Sequence, residues 1–134
     1  MSDPVVLDAS ALLAYLHDEI GAGHVAEAMA GGTAISAANW AEVLSKLADE
    51  GEDPDGLTER LEAEGVLGTE LEVVPLTDVD ARVMAKLRPL TRSAGLSLGD
   101  RACIALGLRL GSAVLTTDRG WATLDLGLEV LLAR

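Results

Sequence analysis

Three aspartates stand where short apolar runs end or where an apolar helix begins. Asp8 follows the run in VVLDAS, Asp118 follows the run in VLTTD, and Asp100 precedes the stretch RACIALGLRL. If the two runs are strands of an open α/β sheet, Asp8 and Asp118 lie outside the carboxyl ends of those strands, where such sheets bind ligands. Carboxylate oxygens in that place suit a hard divalent cation. These residues suggest a carboxylate cluster, but they leave open which end of the sheet Asp100 occupies.

Asp100 also has a simpler interpretation. The segment LSLGDRACIALGLRL, residues 96–110, has the composition of a buried helix, and Ser97 and Asp100 lie at its start. Ser and Asp are favoured there because they accept free backbone N–H groups and face the positive end of the helix dipole. Local sequence therefore favours a capping role for Asp100.

Glu42 looks like a surface residue when its helix is considered alone. The segment 39–50 repeats apolar residues with helical spacing, at Trp40, Val43, Leu44 and Leu47. Glu42 lies about 160° from that apolar stripe, at 100° per residue. It also stands four residues before Lys46, the favourable order for a surface ion pair. Ser10, Asn39 and Thr116 are equally open to a local interpretation as helix caps or strand-end hydroxyls, with capping favoured for Ser10.

Strand patterns alternate with helical patterns along the chain. The strands are predicted at 4–7, 33–36, 71–76, 112–116 and 128–132. The helices are predicted at 9–18, 21–30, 39–50, 53–65, 77–90 and 96–110. This alternation predicts an α/β fold, in which a parallel sheet is covered by helices on both faces. The length of 134 residues predicts a single domain, residues 1–134.

The hydrophobic runs are short and interrupted, which predicts that no segment spans a membrane. The first residues, MSDPVV, lack the charged region and long apolar stretch of a secretion signal. Cys103 is the only cysteine and lies within the apolar helix 96–110, so we expect a buried free thiol. A free thiol suits the reducing cytoplasm.

Charge is unevenly distributed along this acidic chain, whose formal net charge is −12. Between Asp49 and Glu72 there are ten acids and one base, a net charge of −9. Such a protein should not bind nucleic acid broadly, because non-specific affinity comes from neutralising phosphates. A local basic strip could still hold a phosphodiester backbone or could simply be a solvated helix face. Its members are Arg82, Lys86, Arg88, Arg92 and Arg101.

Four motifs together resemble one known family. VVLDASALLAYL, NWAEVLSKL, LSLGDRACIALG and VLTTDRGW resemble the PIN-domain family, and within it the VapC-type toxins of bacterial toxin–antitoxin pairs. The motifs follow the family's order and span residues 5 to 121. The resemblance implies a five-stranded parallel sheet in the order 3-2-1-4-5, in which strands 1 and 4 are neighbours and bring Asp8 and Asp118 together.

The resemblance also implies a site and an activity. The acids of the family fall at Asp8, Glu42, Asp100 and Asp118, and its supporting polar residues at Ser10, Asn39 and Thr116. We expect Asp8 and Asp100 to bind Mg²⁺ or Mn²⁺ directly, and Glu42 and Asp118 to do so directly or through water. The implied activity is endoribonuclease, since a bound ion can generate a nucleophile from water and stabilise charge on a phosphate. Of the basic strip, Arg88, Arg92 and Arg101 are the expected RNA-binding residues.

The implied partners are an RNA substrate, an antitoxin that covers the site, and a second copy of the chain in a homodimer. The sequence leaves open which RNA is cleaved and whether one ion or two are used. A phosphoaspartyl phosphatase is disfavoured because such enzymes need a second Asp two residues after the first, and position 10 is Ser. The main alternative is a PIN-like fold that binds without catalysis.

Overall fold

The structure is a computed structural model that describes residues 4–134. The strands are β1 (Val5–Leu7), β2 (Thr33–Ser36), β3 (Leu71–Val74), β4 (Val114–Thr116) and β5 (Val130–Leu132). The helices are α1 (Ala9–Leu16), α2 (Ala22–Ala30), α3 (Ala37–Asp49), α4 (Pro54–Ala63), α5 (Asp78–Thr91) and α6 (Leu98–Leu110). A short 3-10 helix, Arg119–Thr123, follows β4 and was not predicted.

The five strands form one parallel sheet in the order β3-β2-β1-β4-β5, as the resemblance implied. In the central pair, Leu7 of β1 lies opposite Leu115 of β4. The backbone N–H of Asp8 donates to the carbonyl of Leu115 at 3.2 Å, which extends this pairing just past the end of β1. The strand order reverses between β1 and β4, so their carboxyl ends flank the crevice where open α/β sheets bind ligands.

Successive residues of the central strands face opposite sides of the sheet. Leu7 and Leu115 pack into a core shared with α1, α2, α3 and α4. Val6 and Val114 pack into a second core with residues of α5, α6 and the 3-10 helix. Because both faces are covered, the strands are apolar at nearly every position. The predicted helix–sheet–helix layering is confirmed.

Helices α5 and α6 form an antiparallel pair that is held by a buried ion pair. Arg109, in the last turn of α6, donates from Nε and Nη2 to the two carboxylate oxygens of Asp80, in the first turn of α5, at 2.9 and 3.0 Å. Burial alone would raise the pKa of Asp80, but hydrogen bonds from Arg109 and Thr77 outweigh it and hold the pKa below its usual value. This pairing places the last turn of α5 beside the first turn of α6, which carries Asp100.

Capping residues account for several differences from the predicted boundaries. Helix α3 begins at Ala37 rather than at residue 39, because the side chain of Ser36 accepts from the N–H of Ala38 at 3.2 Å. Asn39 is therefore inside the first turn and is not a cap. Helices α4 and α5 begin one residue after the predicted positions, because Asp53 and Thr77 are their N-caps.

Two smaller findings concern predictions from composition. Cys103 is a free and fully buried cysteine, as expected. None of the helices in residues 4–134 combines the length and the apolar character that a membrane crossing requires.

Candidate active site

Asp8 is the most deeply buried acid among the predicted site residues, with 3 % of its surface exposed. Its Oδ1 accepts from the hydroxyl of Ser10 at 2.7 Å and from the N–H of Ala11 at 2.8 Å. Its Oδ2 accepts from the hydroxyl of Thr116 at 2.6 Å. Since a carboxylate offers about four lone-pair directions, Oδ2 keeps acceptor capacity for a ligand.

The surroundings of Asp8 make its negative charge costly. Burial raises its pKa from 3.8 to about 6, although hydrogen bonds from Thr116, Ala11 and Ser10 lower it in part. The charge of Asp100 also contributes to this rise in pKa. A bound cation would offset both effects, because it favours the charged form of a nearby carboxylate.

Ser10 and Thr116 are brought together by the pairing of β1 with β4. The expectation that Ser10 caps helix α1 is wrong, because Asp8 is the N-cap and Ser10 lies in the first turn. The Ser10 hydroxyl instead donates to Asp8 and accepts from the N–H of Thr117 at 3.1 Å. Thr116 is a strand-end hydroxyl that donates to Asp8 and accepts from the N–H of Asp118. Both side chains orient the Asp8 carboxylate.

Asp100 both caps its helix and lies near the other acids. Its Oδ2 accepts from the N–H of Ser97 at 2.9 Å while Ser97 Oγ accepts from the N–H of Asp100 at 3.1 Å, which forms a capping box. The simpler interpretation of Asp100 is thus confirmed, but it does not exclude a second role. Cys103 lies one turn further along α6, and its pKa is raised by burial and by the charges of Asp8, Asp100 and Glu42. The charges of three of the four predicted acids therefore act on one buried thiol.

Glu42 turns toward α6 rather than toward Lys46. Its Oε1 accepts from Asn39 Nδ2 at 2.8 Å, and the same amide group donates to the carbonyl of Gly99 at 2.8 Å. No ion pair between Glu42 and Lys46 is present in the described part of the chain. The expected surface pair is wrong because Glu42 lies in the second turn of α3, close to the first turn of α6.

Asp118 lies two residues beyond the end of β4 and is exposed. Its Oδ1 accepts from the N–H of Gly120 at 2.9 Å and so caps the 3-10 helix. Its own N–H donates to Thr116 Oγ1 at 3.1 Å. Thr116 thus links the backbone of Asp118 to the carboxylate of Asp8.

The predicted basic strip does not form one continuous surface. Arg82 pairs with Asp78 at 3.5 Å near the start of α5. Because a helix turns by about 100° per residue, Lys86 and Arg88 point about 160° apart. Arg88 lies in the last turn of α5, and Arg92, the C-cap of that helix, points to the same side. Arg101 donates from Nη1 to the carbonyl of Met84 at 3.0 Å, and its Nε is buried without a hydrogen-bond partner in residues 4–134.

In the structure, the side chains of the candidate acids are not arranged as a complete set of metal ligands. Within residues 4–134, no three acidic, histidine or cysteine side chains stand close enough together to hold a metal ion. Asp100, Asp118 and Glu42 each direct one oxygen to a hydrogen-bond donor of the protein. Asn39 Oδ1 is also buried beside Glu42, with no hydrogen-bond partner in that part of the chain. All of these potential metal ligands are oxygen atoms, and one of them, Asn39 Oδ1, is buried without a partner in the described residues. Oxygen ligands fit a hard cation such as Mg²⁺ better than a softer metal.

Sequence reasoning missed Gly99, which lies between Leu98 and Asp100 in the first turn of α6. An alanine Cβ at this position would overlap the carboxylate of Glu42. The available signal was a glycine inside an otherwise strong helical pattern, which is unfavourable for a helix and often has a packing reason.

Comparison with known proteins gives one family match. The model of the PIN domain family matches residues 5–126. No curated protein matches the chain significantly.

Solved structures with the same fold cover nearly the whole chain. A toxin–antitoxin complex from Klebsiella pneumoniae matches with a TM-score of 0.72 and 18% identity, over 97% of this chain and 98% of that one. VapBC2 from Rickettsia felis, bound to a DNA fragment from its promoter, matches with a TM-score of 0.69 and 14% identity, over 94% and 96%. FitAcB from Neisseria gonorrhoeae matches with a TM-score of 0.60 and 19% identity, over 96% and 97%. At these identities the likeness establishes the fold.

Proposed function

The chain belongs to the PIN domain family, and on that premise we propose that it is a Mg²⁺- or Mn²⁺-dependent endoribonuclease whose 134 residues form one domain. The observation that carries this proposal is the environment of Asp8. A buried carboxylate held by Ser10 and Thr116 lies at the carboxyl edge of the sheet, where the charge of Asp100 helps to raise its pKa. A protein environment that makes the negative charge of a carboxylate unfavourable is typical of a site that binds a cation, because the cation then compensates that charge.

Asp8 and Asp100 are the proposed direct ligands, and Glu42 and Asp118 complete the set directly or through water. When bound, the ion lowers the pKa of a water molecule and stabilises negative charge on the phosphate. Ser10 and Thr116 hold both oxygens of Asp8 in fixed directions, and Asn39 holds Glu42. Mg²⁺ usually retains several waters, which agrees with a set of acids that does not enclose the ion.

Arg88 and Arg92 are the proposed phosphate-binding residues. Both are exposed at the end of α5 that lies beside the first turn of α6. Two cations next to the acids could hold the backbone of an RNA strand, while the charge of −12 on the whole chain opposes binding elsewhere. Arg101 has one hydrogen bond to α5 already, so we assign it mainly to holding α5 and α6 together and only secondarily to RNA.

We further propose that the protein is the VapC-type toxin of a toxin–antitoxin pair, that it forms a homodimer, and that an antitoxin covers its site. The names of the structures with the same fold, a toxin–antitoxin complex and VapBC2 among them, support this. The free thiol of Cys103 agrees with action in a reducing compartment such as the cytoplasm. A short neighbouring gene for a DNA-binding protein with a basic tail would support the proposal strongly.

The test is cleavage of single-stranded RNA by the purified chain. We expect cleavage with Mg²⁺ or Mn²⁺ and none with EDTA. Asp8→Asn should lower the rate by at least about a hundredfold, because it removes several kcal/mol of charge stabilisation. The matched control is Asp125→Asn, which removes the same charge from an exposed residue outside the site and should leave the rate unchanged.

Two outcomes would contradict the proposal. An Asp8→Asn protein with the rate of the wild type would show that the assigned site is wrong. RNA that is bound but left intact with both metals would favour the alternative, a PIN-like module that binds without catalysis.

A further inference from the structure

Gly99 is the second residue of α6, a place where glycine has no evident backbone purpose. Its φ is not among the positive values of the chain, so any residue could adopt its conformation. Glycine lowers helix stability because it loses more conformational freedom on folding than other residues. Its presence next to Asp100 therefore needs another explanation.

The space that a side chain at Gly99 would occupy is already filled by Glu42. A Cβ built on Gly99 would lie 2.6 Å from Glu42 Cδ and 2.9 Å from Oε2, and nearer still to Oε1. Real Cβ atoms do not approach other atoms this closely. The carboxylate of Glu42 thus rests directly on the backbone of α6, one residue before Asp100.

Asn39 fixes Glu42 in this position. The Asn39 side chain is 1 % exposed, and its Nδ2 donates both to Glu42 Oε1 and to the carbonyl of Gly99, each at 2.8 Å. One amide group therefore joins the start of α3 to the start of α6 and orients the carboxylate between them. We refer to Asn39, Glu42 and Gly99 as the Glu42 seat.

We propose that Gly99 is a positioning residue, whose missing side chain lets Glu42 lie beside Asp100 so that both carboxylates can bind the same divalent cation. This inference rests on the proposed function, and it adds a residue that touches neither the metal nor the RNA. Asp100 reaches the site from the first turn of α6, and Glu42 reaches the same turn from α3. Glu42 is exposed on α3, and without the seat it would lose the hydrogen bond from Asn39 that holds it beside α6.

Substitution of Gly99 by alanine should remove Glu42 from the seat without unfolding the protein. The overlapping atoms are the end of a flexible side chain, and a rotation of Glu42 relieves the overlap more easily than a backbone shift. Alanine is also the better helix residue. The variant therefore separates the position of Glu42 from the stability of α6.

The chain offers a closely matched control. Gly23 is the second residue of α2, as Gly99 is of α6, and a Cβ built on it meets no atom within 4 Å. Gly23→Ala makes the same change of helix propensity without displacing any side chain. Glu42→Ala serves as the reference for a protein that has lost the carboxylate itself.

The first measurement is the increase of the melting temperature with Mn²⁺ or Mg²⁺ concentration, from which the apparent metal affinity follows. We expect the wild type and Gly23→Ala to have the same affinity. Gly99→Ala should weaken it by about tenfold or more, as does loss of a residue that orients a metal ligand. In a Glu42→Ala background, Gly99→Ala should cause no further loss, because the residue it displaces is already absent.

The second measurement needs no metal and compares melting temperatures in EDTA. In the Glu42→Ala background, Gly99→Ala should raise the melting temperature by about 2–5 °C, as Gly23→Ala does. In the wild-type background the gain should be smaller, because the displaced Glu42 loses its hydrogen bond to Asn39. This difference between backgrounds tests whether Gly99 seats Glu42.

The two measurements separate the seat from the proposed function. An equal gain in both backgrounds, with unchanged metal affinity, would overturn the inference. A loss of metal affinity that persists without Glu42 would also overturn it, since the effect would then act through Asp100. If the wild type shows no response to either metal, the metal-dependent function fails, and with it the shared-cation role of Gly99. The EDTA comparison would still decide whether Gly99 positions Glu42.

Discussion

At the scale of single residues, Asp8 combines burial with three hydrogen bonds to its carboxylate. Its pKa rises from 3.8 to about 6, mainly because of burial. The folded state therefore binds a proton more tightly than the unfolded state between these two values. By linkage, the contribution of Asp8 to the free energy of unfolding falls as pH rises from about 4 to 6 and then stays constant.

Asp8→Asn should accordingly stabilise the metal-free protein at neutral pH. In EDTA at pH 7 we expect a gain of about 1–3 kcal/mol in the free energy of unfolding, since one pKa unit corresponds to about 1.4 kcal/mol. The gain should shrink as pH falls through 6 and disappear near pH 4, where Asp8 is protonated in the folded wild type as well. Urea unfolding of both proteins at several pH values measures this. A pH-independent difference would mean that Asp8 titrates normally.

At the scale of elements, the pair formed by α5 and α6 includes a bidentate ion pair beside its apolar contacts. Asp80 is almost fully buried, and Arg109 binds both of its oxygens. This contact orients α6, whose first turn carries Asp100, against the helix that carries Arg88 and Arg92. A contact at the opposite end of α6 therefore contributes to the placement of the candidate site.

Arg109→Ala should lower the free energy of unfolding by about 2–3 kcal/mol, because it leaves the buried Asp80 carboxylate without its cation, although the N–H of Thr77 still donates to it. Since the pair lowers the pKa of Asp80, its stabilising effect is present above pH 4 and is lost as pH falls through the folded pKa. Urea unfolding at pH 7 and at pH 3 measures both effects. The control is Arg82→Ala, which breaks the exposed pair with Asp78 and should cost less than about 0.5 kcal/mol. Equal costs for the two variants would show that the buried pair contributes no more than the exposed one.

At the scale of the whole molecule, the distribution of charge should decide where RNA can bind. The chain carries −12 overall, and the ten acids between Asp49 and Glu72 make one region strongly repulsive to phosphate. Arg88 and Arg92 lie at the end of α5 next to the start of α6, whereas Arg82 and Lys86 face another side of α5. Each pair of residues carries a charge of two, so the two double substitutions remove the same charge and differ only in where it is removed.

Arg88→Ala with Arg92→Ala should weaken RNA binding and lower its salt dependence, by roughly one unit of slope for each phosphate that the protein no longer neutralises. Arg82→Ala with Lys86→Ala should change the slope much less. RNA affinity is measured over a range of salt concentrations in the Asp8→Asn background, which we expect not to cleave the RNA. If both double variants lower the slope equally, the basic residues act through total charge and not through a binding surface.

The sequence by itself determined most of the fold and the identity of the candidate acids. The strand 33–36 was predicted with the observed ends, and the alternation of strands and helices predicted the parallel sheet. These features depend on the periodicity of neighbouring residues and on backbone caps, which are local properties. The PIN-domain resemblance of four motifs is confirmed by the family match, while the roles of the acids remain predictions.

Only the tertiary structure decided what each polar side chain contacts. Ser10 looked like a cap and instead donates to Asp8, while its hydroxyl accepts from Thr117, 107 residues away. Glu42 is an exposed residue, as its helix predicted, but it contacts Asn39 rather than Lys46, and Asn39 also reaches the carbonyl of Gly99, 60 residues away. The contact of Arg109 with Asp80 had no sequence signal. Local periodicity specifies which face of a helix is buried, but the partner of a side chain depends on which elements become neighbours when the sheet assembles.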